Sequence, residues 1–189
     1  VSPYGGTGAY TGEISADMLR DIGCTHVLIG HSERRQYFGE DDDILARKIE
    51  NATRAGLSPI ICIGEVLEIR QGGDYLAELG RQLALIERTR DLLPDTVWVA
   101  YEPVWAIGTG LVATITQIEE AHAYLAGKLR QILPAGKTAR LLYGGSVKGN
   151  NAADILTVPG VDGVLVGSAS LTAPEMGRIM AGAAPVTTE

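Results

Sequence analysis

Residues 96–110 read TVWVAYEPVWAIGTG. An unbroken apolar run ends on a single carboxylate, Glu102, then passes through Pro103 and Trp105 into a tail punctuated by Gly108 and Gly110. The run lacks the polar alternation of a strand with one wet face, so it reads as a strand covered on both sides. Strands of that kind belong to parallel sheets under crossover helices. A carboxylate at the mouth of such a strand can be an ordinary solvated strand end. The apolar, glycine-hinged segment attached to it points instead to proton-transfer chemistry in a pocket that closes.

Four other stretches repeat the pattern: His26–Ile29 (HVLI), Pro59–Ile63 (PIICI), Arg140–Tyr143 (RLLY) and Gly163–Val166 (GVLV). Between them lie amphipathic segments. After Asp74, the residues Leu76, Leu79, Leu83 and Ile86 recur at helical spacing; Thr116–Glu119 (TQIE) reads as a capping box ahead of Ile118, Leu125, Leu129 and Ile132. Gly23 and Gly56 fit helix terminators just before strands. A short helix is expected after Asn150 and another from about Ala173 to Ala181. The alternation predicts an α/β fold of about five parallel strands with flanking helices, one domain over residues 1–189.

Polar and glycine-rich residues follow each strand directly: GHSE (30–33), GE (64–65), EPVWAIGTG (102–110), YGGSV (143–147) and GSAS (167–170). In a parallel sheet these positions share one rim, at the carboxyl ends of the strands, where active sites assemble.

Composition narrows the partners. With 46% hydrophobic residues the chain can bury a real core, and its net charge of −7 disfavours nucleic acid and anionic membranes. Cys24 and Cys62 are far apart, and no export or membrane segment stands out, so a reducing, cytoplasmic setting is expected. Neither metal-ligand spacing nor a dinucleotide fingerprint is visible, and no cofactor is expected. Cys62 reads as a packed thiol, His26 as a strand start and His122 as an exposed helix residue.

Taken in order, GAYTGEIS (8–15), LIGHSERR (28–35), CIGE (62–65), YEPVWAIGTG (101–110), YGGSV (143–147) and GVLVGSASL (163–171) resemble the signature segments of the triosephosphate isomerase family. That family is itself a standard example of tuned acid–base groups. The resemblance implies a TIM-type (βα) barrel and the interconversion of dihydroxyacetone phosphate and glyceraldehyde 3-phosphate, a step of glycolysis and gluconeogenesis. It implies that Glu102 is the general base, that His31 is a neutral electrophile held by the helix start after it, and that Glu33 supports the site by anchoring a cation. By the same resemblance Pro103, Val104, Trp105, Ala106, Ile107, Gly108 and Thr109 form a lid, while Gly108, Ser146, Gly167 and Ser168 cradle the phosphate. Two departures stand out: Leu111 follows the lid where Lys is common, and Ser168 sits where Gly is usual.

A barrel of this family has eight βα units in about 250 residues. The chain opens at VSPYGG, which resembles the loop leaving the third strand, and is therefore expected to be a truncated barrel without the first three strands, two helices and an Asn-x-Lys segment. Residues 1–14 would then be a former dimer-contact loop, free to move. Three expectations follow: the isolated chain is inactive or strongly impaired, it retains weak affinity for a three-carbon phosphosugar or for phosphate and sulfate, and it self-associates through its open edges. The alternative is an isomerase made active by self-assembly or by a complementary N-terminal piece.

Overall fold

The computed structural model describes residues 1–183. Five parallel strands form one open sheet in the order β1-β2-β3-β4-β5: β1 (His26–Ile29), β2 (Ser58–Ile63), β3 (Thr96–Tyr101), β4 (Thr138–Tyr143) and β5 (Gly163–Val164). Helices α1 (Ala16–Asp21), α2 (Ser32–Phe38), α3 (Asp42–Arg54), α4 (Leu67–Gly72), α5 (Tyr75–Thr89), α6 (Ile115–Ile132), α7 (Ala152–Leu156) and α8 (Ala173–Ala181) connect them. The result is a half-barrel in which sequential strands are neighbours, the usual outcome of short connections between consecutive elements. Among the described residues, no helix is long and apolar enough to cross a membrane.

The core is one-sided. Ile61, Val99, Leu141 and Tyr143 point to the helix layer and meet Leu45, Ile49, Leu79, Ile118 and Leu125, all buried. Each such side chain contributes about 1.5–3 kcal/mol relative to exposure. On the opposite face a small cluster of Cys62, Ala100 and Leu142 is rimmed by Ile60, Trp98 and Leu165, which are only partly covered. Leu28, at the β1 edge, is 41% exposed.

Three local readings change. The capping box of α6 is Thr114 with Gln117, not Thr116 with Glu119; the Thr114 hydroxyl accepts from the Gln117 N–H at 3.2 Å, and the Gln117 side chain accepts from the Thr114 N–H at 2.9 Å. Both quartets satisfy the pattern, and the earlier start adds two residues to the helix. Strand β5 stops at Val164, although the Leu165 N–H still bonds Tyr143 O at 2.9 Å. As an outer strand it has a ladder on one side only. His122 is 0% exposed, not on the solvent face. It lies four residues after Ile118 and three before Leu125, on the apolar stripe of α6, with its Nδ1 3.0 Å from Gly160 O and its ring edge-on to Tyr101.

Residues 1–14 close into a loop. The Ser2 N–H donates to Ile14 O at 2.8 Å, and the Tyr4 and Tyr10 rings stack at 4.4 Å.

Candidate active site

The site begins with the ends of β2 and β3. The Glu102 N–H donates to Ile63 O at 2.7 Å, drawing the two strand ends so close that a Cβ on Gly64 would lie 1.7 Å from Glu102 O. Glycine is the one residue that fits at this crossing. Gln82 of α5 clasps the same turn: its Oε1 accepts from the Gly64 N–H at 3.0 Å and its Nε2 donates to Gly64 O at 2.7 Å.

Glu102 is 1% exposed. Its Oε2 accepts from the Ser32 N–H at 3.0 Å, and its Oε1 lies 3.0 Å from His31 Nε2 without hydrogen-bond alignment, so that oxygen has no true donor. Burial pushes the carboxyl above the usual range; His31, the Ser32 amide, the Cys62 thiol and Arg35 oppose the rise. The outcome is a carboxylate with basicity beyond that of a solvated one, the property a proton-abstracting group needs.

His31 caps α2. Its Nδ1 accepts from the Glu33 N–H at 3.3 Å, so a neutral ring carries its proton on Nε2, the nitrogen turned toward Glu102. Cys62 is buried beside the pair, and burial followed by the Glu102 charge pushes its thiol up, leaving it inert. The Glu33 side chain is exposed and forms no ion pair among the described residues. The neighbouring cations are taken: Arg34 and Lys48 converge on buried Glu40, and Arg35 reaches Asp42 at 3.0 Å.

The segment after Glu102 is held from three sides. Pro103 is buried, Val104–Ala106 form a 3-10 turn, and Trp105, 9% exposed, donates from Nε1 to Glu65 Oε1 at 3.0 Å. The Thr109 hydroxyl donates to Trp105 O and the Ser146 hydroxyl to Ala106 O, each at 2.6 Å. Ile107 is half-buried, while Gly108 and Gly110 adopt left-handed φ of 68° and 83° at an exposed tip.

Ser146 thus joins the lid. Gly167 and Ser168 lie exposed beyond β5, where a 3-10 turn spans Ser168–Leu171 and the Ser170 hydroxyl donates to Gly167 O at 2.8 Å. No hydrogen bond links them to Ser146 or Gly108 among the described residues.

Glu65 escaped the sequence reading. It is fully buried and accepts from Tyr101 Oη and Trp105 Nε1, both at 3.0 Å, with Arg70 3.8 Å away; burial pushes its carboxyl up. Its place directly after β2 was the available signal. Gln82 was hidden because it shares the apolar stripe of α5 with Leu79 and Leu83. A cleft of about 630 Å³ opens beside Glu102, lined by Ser32, Arg35, Gln36, Gln82 and Val104 among others; neither His31 nor Ser146 borders it.

Known proteins extend this picture. A family model described as triosephosphate isomerase matches residues 4–183. The triosephosphate isomerase of Neisseria meningitidis serogroup A is 51% identical over 172 residues, covering 91% of this chain and 67% of the relative. That of Francisella philomiragia is 46% identical over 184 residues, covering 96% and 73%, and that of Ruegeria sp. (strain TM1040) is 53% identical over 181 residues, covering 93% and 71%. The matched part is the C-terminal portion of these relatives.

Proposed function

Because the chain belongs to the triosephosphate isomerase family, we propose that Glu102 and His31 are its base and electrophile, and that the 189-residue chain by itself holds them too close together for turnover. Glu102 would take the proton from the carbon beside the substrate carbonyl while the electron pair forms the enediol double bond. His31 Nε2–H would stabilise the oxygen as charge builds on it and give it that proton, the ring recovering a proton from the neighbouring hydroxyl as the carbonyl forms there and the proton on Glu102 returns to the neighbouring carbon. Trp105 to Gly110 would exclude water, and the amides near Gly108, Gly167 and Ser168 with the Ser146 hydroxyl would hold the phosphate.

One observation carries the reading of impairment: the 3.0 Å approach of His31 Nε2 to Glu102 Oε1. Base and electrophile each need their own substrate atom at about 2.6–3.2 Å, so a bound substrate must stand between them. Here the two groups stand 3.0 Å apart, with no room for a substrate atom between them. Two free thiols fit a cytoplasmic setting.

Turnover of purified chain beside a Glu102→Gln control tests this. Rates equal in both proteins and near the buffer blank are expected. Activity within tenfold of an ordinary isomerase that vanishes in the control would overturn the reading. The outer strands favour the second reading, an isomerase rebuilt by self-association, and activity rising with the square of concentration would establish it. Light scattering showing only a 20 kDa particle at micromolar concentration would remove self-association itself.

A further inference from the structure

We infer that Gln82 is a positioning residue for Glu102, acting through the Gly64 peptide. What Glu102 does rests on the reading proposed above; how it is held follows from the geometry of three elements. The need arises where β1 leaves the sheet. Its pairing with β2 ends at Ile29 opposite Ile61. The same register continued would bring Ser32 opposite Gly64, but Ser32 opens α2 and turns away. Gly64 thus lacks the strand neighbour that would have met its N–H and C=O, and such groups require partners. The Gln82 side chain, 5% exposed, supplies both: Oε1 accepts from the Gly64 N–H at 3.0 Å and Nε2 donates to Gly64 O at 2.7 Å. One primary amide on a helix stands in for a strand.

The orientation of that amide is forced. Nε2 also donates to Glu78 Oε1 at 2.6 Å. Arg81 grips the same carboxylate as a fork, Nε at 2.9 Å from Oε2 and Nη2 at 2.8 Å from Oε1, and so holds the Glu78 carboxyl below the usual range. A carboxylate only accepts, so nitrogen must face Glu78 and oxygen is left for the Gly64 N–H. A residue that merely filled space on this apolar stripe would be a leucine, as at Leu79 and Leu83.

The clasp reaches Glu102 from the other side of the turn. The Glu102 N–H donates to Ile63 O at 2.7 Å and the Val104 N–H to Glu65 O at 3.0 Å, so the two neighbours of Gly64 carry the main chain on either side of the Glu102 carbonyl. That carbonyl packs on Gly64 with no space for a methyl. A Gly64 peptide released by Gln82 therefore rotates only by moving Glu102, and the carboxylate set against the Ser32 amide and His31 moves with it.

The experiment follows the Ser32 amide by NMR in the 189-residue chain while Glu102 is titrated, because that N–H donates to Glu102 Oε2 at 3.0 Å and senses its charge. Gln82→Leu removes the clasp and keeps its bulk. Gln82→Glu keeps the acceptor for the Gly64 N–H, brings no proton to Gly64 O and sets a second charge beside Glu78. Leu83→Ala, a buried neighbour on α5, controls for lost stability. The pH-linked excursion of the Ser32 amide should fall by roughly half or more in both Gln82 variants and keep its parent size in Leu83→Ala, although all three lower the urea midpoint. A full excursion in either Gln82 variant, or an equal fall in Leu83→Ala, would overturn the inference. The readout needs no turnover: a failed positioning role shows at Ser32, whereas a failed base assignment shows only in the comparison with Glu102→Gln.

Discussion

Glu65 and Glu102 stand at the ends of adjacent strands, both buried and both with carboxyls pushed up by burial, yet they are held differently. Glu65 faces two fixed donors, the Tyr101 hydroxyl and the Trp105 indole, each at 3.0 Å on one oxygen. Glu102 has one backbone donor and an imidazole that comes near without aligning. Each keeps one buried oxygen without a donor, Glu65 Oε2 and Glu102 Oε1. What differs is the holder: Glu65 is tied by two side chains, one on β3 and one in the lid, whereas the bare oxygen of Glu102 faces His31 Nε2 at 3.0 Å. Burial alone therefore says little about which carboxylate is chemical; the geometry of the donors decides.

The greatest change is expected from Gly64→Ala, which strikes both carboxylates at once. Its methyl would overlap Glu102 O, forcing β2 and β3 apart, and a loss of about 4 kcal/mol or failure to fold is expected in urea melts. A loss under 1 kcal/mol would show that the strand ends are less tightly crossed. Glu65→Leu comes next: it leaves the Tyr101 hydroxyl and the Trp105 indole without a partner, a cost of about 2–4 kcal/mol, accompanied by a shift in Trp105 emission as the lid loosens. Unchanged emission would separate the lid from Glu65.

The two acids and His122 should also oppose one another in pH. Raised carboxyl pKa values mean that the folded state holds protons more tightly, so this contribution grows as pH falls and is lost as pH rises from the ordinary value near 4.5 through the raised one. His122 has the opposite sign. Burial lowers its pKa, so its contribution is present above about 6.5 and is lost as pH falls below it. Chemical denaturation between pH 7.5 and 5 should show the parent losing stability relative to His122→Gln as pH falls; parallel curves would refute the assignment. Smallest of all is Ser146→Ala, which frees Ala106 O and should cost about 1 kcal/mol, with faster lid motion seen by relaxation dispersion.

Parallel sheet, strand order and the loop rim were legible because apolar runs and helical spacing are local signals, as with Leu79, Leu83 and Ile86 on α5. Glu102 and His31 were legible through the segments around them. What stayed hidden is relational. Gly64 is dictated by a carbonyl on another strand, Gln82 by a turn eighteen residues earlier, and His122 by two tyrosines that no spacing rule connects to α6. The contact between His31 and Glu102, seventy-one residues apart, belongs to the same class. The site's residues could be read one by one, but not the distance between them.

Strand β3 is paired over six residues with β4 and over four with β2, whereas β5 holds its single neighbour by two. Under native-state amide hydrogen exchange this ladder becomes a sequence of clocks: the amides around Gly163 to Leu165 should exchange first, those of β1 next, and those of Val97 to Tyr101 only when the whole molecule opens. The turn that carries Gly167 and Ser168 would then come and go many times during each lifetime of the strand that carries Glu102. An anion bound there would slow the first clock and leave the last one untouched.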